Sequence, residues 1–184
     1  MSNNLNVFKY GYNNWKPRNW FSNCKQFFCN CKYAWQRATK GYCTYDVWDI
    51  DDFHTGLMIA MLTKFKQDNN GYPSVFADDE NGAEKWDAII EEMILHFTNY
   101  RDAETVYPNE FEDEYFAMLN RHTEHGIDDK GFRYQKTNEK QFTDSEQKLQ
   151  ENYLQKAKEC AAWKQKELDA GLALFCKWYQ DLWW

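Results

Sequence analysis

Before position 46 this chain has no acidic residue: residues 1–45 carry Lys9, Lys16, Arg18, Lys25, Lys32, Arg37 and Lys40 but neither Asp nor Glu, and all 29 acids follow. It also has no apolar run near the ~20 residues that a membrane span needs, and no charged-then-apolar leader with a small-residue cleavage site. The expectation is therefore a soluble, intracellular protein with no membrane partner. No P-loop, GxGxxG or HExxH pattern occurs, nor any nucleophile with an evident base, so no enzyme class is signalled and a non-catalytic role is favoured. A net charge of −7 argues against binding long nucleic acid, although the basic first quarter leaves room for a local cationic patch.

The six cysteines lack the closely paired loop spacing of a closed zinc site. Cys24 and Cys31 fall on the apolar side of an expected helix, where packing thiols sit. Without a secretory signal they are expected to be reduced, with no metal and no cofactor. His122 and His125 flank Glu124 near a helix end without a third ligand, which favours a solvated cluster.

What the chain does have is aromatic side chains, 18% of residues with nine Trp, so a mean hydropathy of −0.90 does not preclude a core. Each buried ring removes about 150–250 Å² from water. The expected fold is all-α: a single helical domain over 1–184, about five main helices, and an N-terminal arm over 1–17 that either packs by Phe8, Tyr10 and Tyr12 or stays loose. Trp20, Phe21, Cys24, Phe27, Phe28, Cys31 and Trp35 recur at spacings of three and four, predicting a helix over about 18–39 that Gly41 stops. A second helix starts near Asp49, with Ile50, Phe53, Leu57, Met61 and Phe65 as its buried stripe. Asn69–Pro73 breaks the chain. Asn81 and Glu84 resemble a capping box ahead of an amphipathic helix bearing Trp86, Ile89, Ile90, Met93, Ile94 and Phe97. A shorter helix carries Phe111, Tyr115, Phe116 and Leu119, and residues 126–141 lack apolar periodicity and are expected as loop. Thr143 and Glu146 open a last helix of almost forty residues, which Gly171 is placed to kink. At ~1.5 Å per residue that helix outruns a compact domain, which points to a homo-oligomer.

The stretch Trp35–Asp52 joins a helix end to a capped helix start at the place where charge changes sign. Cations with aromatic rings can pair with phosphate while stacking on a base. Arg37 and Lys40, with Trp35, Tyr42 and Trp48, are thus the candidate ligand site, against the plainer reading that cations in a last helical turn answer the helix dipole. The acidic pairs, Glu91 with Glu92 above all, could hold magnesium in an all-α nucleotide pyrophosphohydrolase. They face away from the apolar stripe, however, which favours a solvated surface.

The run KYAWQRATKGYCTYDVWDID, then GYP, WDAIIEEM, EYF and the closing FCKWYQDLWW, resembles a family of small proteins encoded widely by bacteriophages, from about residue 31 onward. The resemblance implies a phage context in the host cytoplasm and nothing about catalysis. By analogy of context, it suggests an immune-evasion protein that sequesters a small nucleotide-like signal. The alternatives are a structural or adaptor protein that binds host or phage proteins, as a virion component or inhibitor, and the magnesium-dependent hydrolase.

Overall fold

The computed structural model describes residues 17–127, 132–138 and 142–183; the expected arm over 1–16, and Trp184, lie outside them. The fold is all-α apart from one small hairpin. Six α-helices occur among the described residues: α1 (Trp20–Lys40), α2 (Ile50–Asp68), α3 (Gly82–Arg101), the single turn α4 (Ala103–Val106), α5 (Glu112–His122) and α6 (Asp144–Trp178). Strands β1 (Thr123–Ile127) and β2 (Arg133–Thr137) pair antiparallel, Thr123 opposite Thr137 and Ile127 opposite Arg133. The chain falls into two compact units, one ending at Lys64 and the other beginning at Phe65, so that α2 runs through the boundary.

In the first unit, Pro17–Asn19 form a 3-10 turn and α1 follows. Gly41 ends α1 at φ 82, a left-handed conformation that costs a glycine little, and its N–H donates to the Arg37 carbonyl at 3.0 Å. The helix is turned the other way from what its apolar spacing suggests. Phe21, Phe28 and Trp35 are 87%, 71% and 71% exposed, and Trp20 and Cys24 are exposed beside them. The sheltered side is mixed: Asn23 is 1% exposed, Asn30, half-buried, accepts from Gln26 Nε2 at 2.8 Å, and Phe27, Tyr33 and Ala34 are half-buried beside them. Asn23, Asn30 and Arg37 are seven apart, as are Phe21, Phe28 and Trp35, so two stripes run the length of α1 and the polar one is the covered one. The expectation that Cys24 and Cys31 pack in a core is corrected accordingly: Cys24 is exposed, Cys31 half-buried, and of the six free thiols only Cys43 is fully buried.

The stripe foreseen on α2 is also displaced. Thr55, Met58 and Leu62 are buried, whereas Ile50, Leu57 and Met61 are exposed. Leu57, Met58, Ile59, Met61 and Leu62 put apolar side chains nearly all round the helix, so periodicity alone does not pick its inner face.

The second unit is built on α3 against α6. Trp86, Ile90, Met93 and Phe97 point inward from α3, each 2% exposed or less, in agreement with the sequence pattern. Trp178, from the end of α6, meets Trp86 and Phe76 at ring separations of 5.5 Å each. Gly171 is where the helices come closest: a Cβ there would stand 3.2 Å from His96 Cβ and 3.3 Å from the Phe97 ring. It serves close approach rather than a kink, and α6 continues through it. Glu167, one turn earlier, accepts from Asn99 Nδ2 at 2.9 Å and lies 2.8 Å from His96 Nδ1. Burial pushes that carboxyl up, but Asn99 and His96 outweigh it and hold it below its usual range.

Towards its N-terminus α6 is met by other parts of its own chain. Tyr107 stacks on Trp163 at 5.3 Å, and Tyr115 stacks on Tyr153 at 4.0 Å. Successive partners thus accompany most of α6, so its length gives no ground of its own for a second copy. Met118, fully buried on α5, went unnoticed in the sequence beside the more obvious Tyr115 and Phe116. The hairpin replaces the loop expected over 126–141; its strands, TEHGI and RYQKT, are mostly solvent-facing and lack the alternation that marks a strand resting on a core.

The two expected capping boxes part company. Asn81 makes no side-chain cap bond to α3, whereas Thr143 and Glu146 make the full reciprocal box on α6. The Glu146 carboxylate also lies 3.1 Å from His122 Nε2 and 3.5 Å from Arg121, which ties the end of α5 to the start of α6. The Thr143 N–H first, then His122, hold Glu146 down at about 2 from an ordinary 4.5. A depressed carboxyl favours the folded state above its unfolded pKa, and that contribution fades as pH falls through the folded one. Acid titration of the urea midpoint should therefore show stability lost between about pH 4.5 and about pH 2. Glu146→Gln, which keeps a box-forming side chain without the charge, should flatten that portion of the profile.

Candidate functional site

The candidate site lies wholly in the first unit, where α1 ends and the chain turns toward α2. Two neighbouring side chains on the last turns of α1 hold that turn. Gln36 Oε1 accepts from Thr44 N at 3.1 Å and from Thr44 Oγ1 at 3.2 Å. Arg37 grips Asp46 with two nitrogens, Nε to Oδ2 at 3.0 Å and Nη2 to Oδ1. Asp46 Oδ2 also accepts from Cys43 N at 2.7 Å, while Asp46 N donates to the Cys43 carbonyl at 3.1 Å. The carboxylate thus closes a four-residue turn from inside and fastens it to the helix. It is almost entirely buried, the Arg37 side chain 22% exposed. Burial pushes the Asp46 carboxyl up, but the guanidinium and the Cys43 N–H prevail and hold it below its ordinary range; the same hydrogen bond, opposed by burial, raises Arg37.

This arrangement redistributes the candidate residues. Arg37, the expected phosphate clamp, is engaged by Asp46. Lys40 is exposed immediately before the Gly41 cap, and Trp35, Tyr42 and Trp48 stand in solvent at 71%, 50% and 88% exposure. Tyr45, also exposed, lies 6.2 Å ring to ring from Tyr33. The site is an open aromatic surface carried on a pinned turn, with no enclosing wall among the described residues. Gln36 and Asp46 were missed as its supports. The signal for Asp46 was present: it is the first acid after forty-five residues without one.

The other candidates fare as follows. Glu91 is paired with Lys66 at the surface, and Glu92 is exposed with His96 Nε2 3.8 Å away. Among the described residues no three His, Cys, Asp or Glu side chains converge as a metal set. His122 belongs to the tie at Glu146, while His125 is exposed on β1. In the second unit a cleft of about 190 Å³ runs between Tyr107, Tyr153 and Lys164, below the ~300 Å³ at which small-molecule pockets begin. A hollow of about 670 Å³ beside the hairpin is lined, among the described residues, by the two strands and is open. No described helix is long and apolar enough to cross a membrane. Comparison with protein-family models, with curated proteins and with solved structures finds no match.

The Arg37–Asp46 pair yields a direct expectation. Arg37→Ala leaves a buried carboxylate with a single backbone donor, which should cost about 1–3 kcal/mol of stability. Removing both partners in Arg37→Ala/Asp46→Ala should cost less than the sum of the two single changes. Urea unfolding followed by circular dichroism of the helices measures all three variants.

Proposed function

We propose that this chain is a non-catalytic binding protein that engages a protein partner through the aromatic surface of its first unit. The observation that carries the reading is the exposure of large rings on one short segment, Trp20, Phe21, Phe28, Trp35 and Trp48 at 60–88%. Aromatic side chains in such number usually mark an interaction surface, because contiguous apolar patches are costly to leave in water. The phage resemblance gives the reading a setting: an accessory protein in the host cytoplasm that attaches to a host or phage protein, as an inhibitor or an adaptor.

A nucleotide-like ligand is the second reading. Lys40, Trp35, Tyr42 and Trp48 are all open to solvent and of the right chemistry, one cation with several stacking rings. It is weaker because Arg37, the only planar guanidinium of the set, already holds a carboxylate, and because no described cavity encloses a ligand. A magnesium-dependent hydrolase has no observation in its favour, since Glu91 and Glu92 are solvent-facing.

Mass analysis of what accompanies the purified protein and is released by heat separates the two readings, with calorimetric titration of mono- and cyclic nucleotides alongside. The protein-partner reading expects a polypeptide that is lost from a Trp35→Ala/Trp48→Ala variant, with no bound nucleotide and no heat of nucleotide binding. An intact nucleotide at one per chain, lost with Lys40→Ala, would put the second reading in its place.

A further inference from the structure

The exposed stripe of α1 has a finer pattern than three-and-four spacing. Phe21, Phe28 and Trp35 alternate with Cys24, Cys31 and Ala38 in a strict seven-residue repeat over the whole helix. These are the a and d positions of a coiled-coil seam, three large rings separated by small residues that leave gaps for a partner's side chains. The helix is about 32 Å long at ~1.5 Å per residue. With Trp20, the rings of the stripe offer roughly 600 Å² of open apolar surface. That is less than the ~800 Å² per partner of a globular interface, but suits one helix laid along another.

Charge says what kind of helix. Lys25 and Lys32 occupy the e positions beside this seam and are both exposed, and α1 contains no acid. A second copy answers them poorly. Laid antiparallel, its own Lys25 and Lys32 would face these; laid parallel, they would meet Phe27 and Ala34 at its g positions. A lipid surface is the other natural occupant for a basic amphipathic helix, but the net charge of −7 sets the chain as a whole against an anionic bilayer. We infer that α1 docks a single acidic amphipathic helix of a partner protein, whose apolar residues fill the gaps at Cys24, Cys31 and Ala38 and whose carboxylates meet Lys25 and Lys32. This deepens the protein-partner reading and rests on it.

The test uses the full chain and two synthetic 21-residue helical peptides with leucine at a and d, one with Glu and one with Lys at e and g. Binding is followed by Trp fluorescence and checked by calorimetry. The acidic peptide should bind at least about fivefold more tightly than the basic one, since exposed charge pairs contribute modestly each. Lys25→Glu/Lys32→Glu should reverse the preference. Phe28→Ala should weaken acidic-peptide binding by about tenfold or more, as loss of a central aromatic anchor does. Circular dichroism establishes that each variant is folded.

Equal binding of both peptides, binding of neither, or a charge swap without effect overturns the inference. So does tighter attachment to anionic vesicles than to the acidic peptide, or a wild-type dimer in sedimentation that Phe28→Ala dissociates. If the peptides fail while a co-purifying polypeptide is still lost from the Trp35→Ala/Trp48→Ala variant, the protein-partner reading stands and only this inference falls. A bound nucleotide in place of any polypeptide removes the broader reading instead.

Discussion

The first unit depends on a carboxylate taken out of water. Asp46 is buried where α1 gives way to the turn, and it is kept ionised by the two-pronged guanidinium of Arg37 and the Cys43 N–H. A lone buried charge would cost several kcal/mol, so the turn, the helix end and the placement of Arg37 must hold together. The consequence reaches along α1. Once Arg37 faces the covered side, Asn30 and Asn23, one and two heptads back, lie on that side too, and the aromatic stripe is left facing water. The surface proposed to bind is thus the side of α1 opposite the one that Arg37 and Asp46 pin down.

The second unit follows more ordinary rules. Four large apolar side chains of α3 at helical spacing pack against α6, and Gly171 removes the one Cβ that would hold the helices apart. Polar contacts add to this packing: Glu167 with His96 and Asn99 joins α6 to α3, and Glu146 with His122 joins the start of α6 to α5. Stacked rings at Tyr107–Trp163 and Tyr115–Tyr153 carry the contact further along α6. Rings along α3 and α6 are thus covered in the second unit, although Phe132, Tyr179 and Trp183 stay exposed there as the stripe of α1 does in the first.

Much of this was legible in the sequence, and the failures have physical causes. Helix positions, the glycine stop at 41, the box at Thr143 and the inner face of α3 all rest on local chemistry that dominates where it occurs. The buried side of α1 was not legible, because periodicity reports which residues share a face and not which face is covered. A stripe of rings is read as core by default; here a buried ion pair between positions 37 and 46 decides otherwise. The same fact changed the candidate site: Arg37 was identified as a residue of consequence, but its anion is internal. The hairpin was missed because strands with few buried side chains leave no alternation to detect. Gly171 was noticed for its flexibility, when what matters is its missing side chain.

The central claim is the orientation of α1, and its own cysteines report on it. Cys24 lies on the exposed aromatic side, Cys43 is buried beside Asp46, and Cys176 is exposed in the other unit and serves as a reference. Timed alkylation of the native protein under reducing conditions, quenched and read cysteine by cysteine by mass spectrometry, compares them in one experiment. The account predicts that Cys24 is modified on the timescale of Cys176 while Cys43 stays protected until the protein unfolds. Protection of Cys24 equal to that of Cys43, in a monodisperse monomer, would mean that the aromatic stripe is the buried face, and would contradict the account.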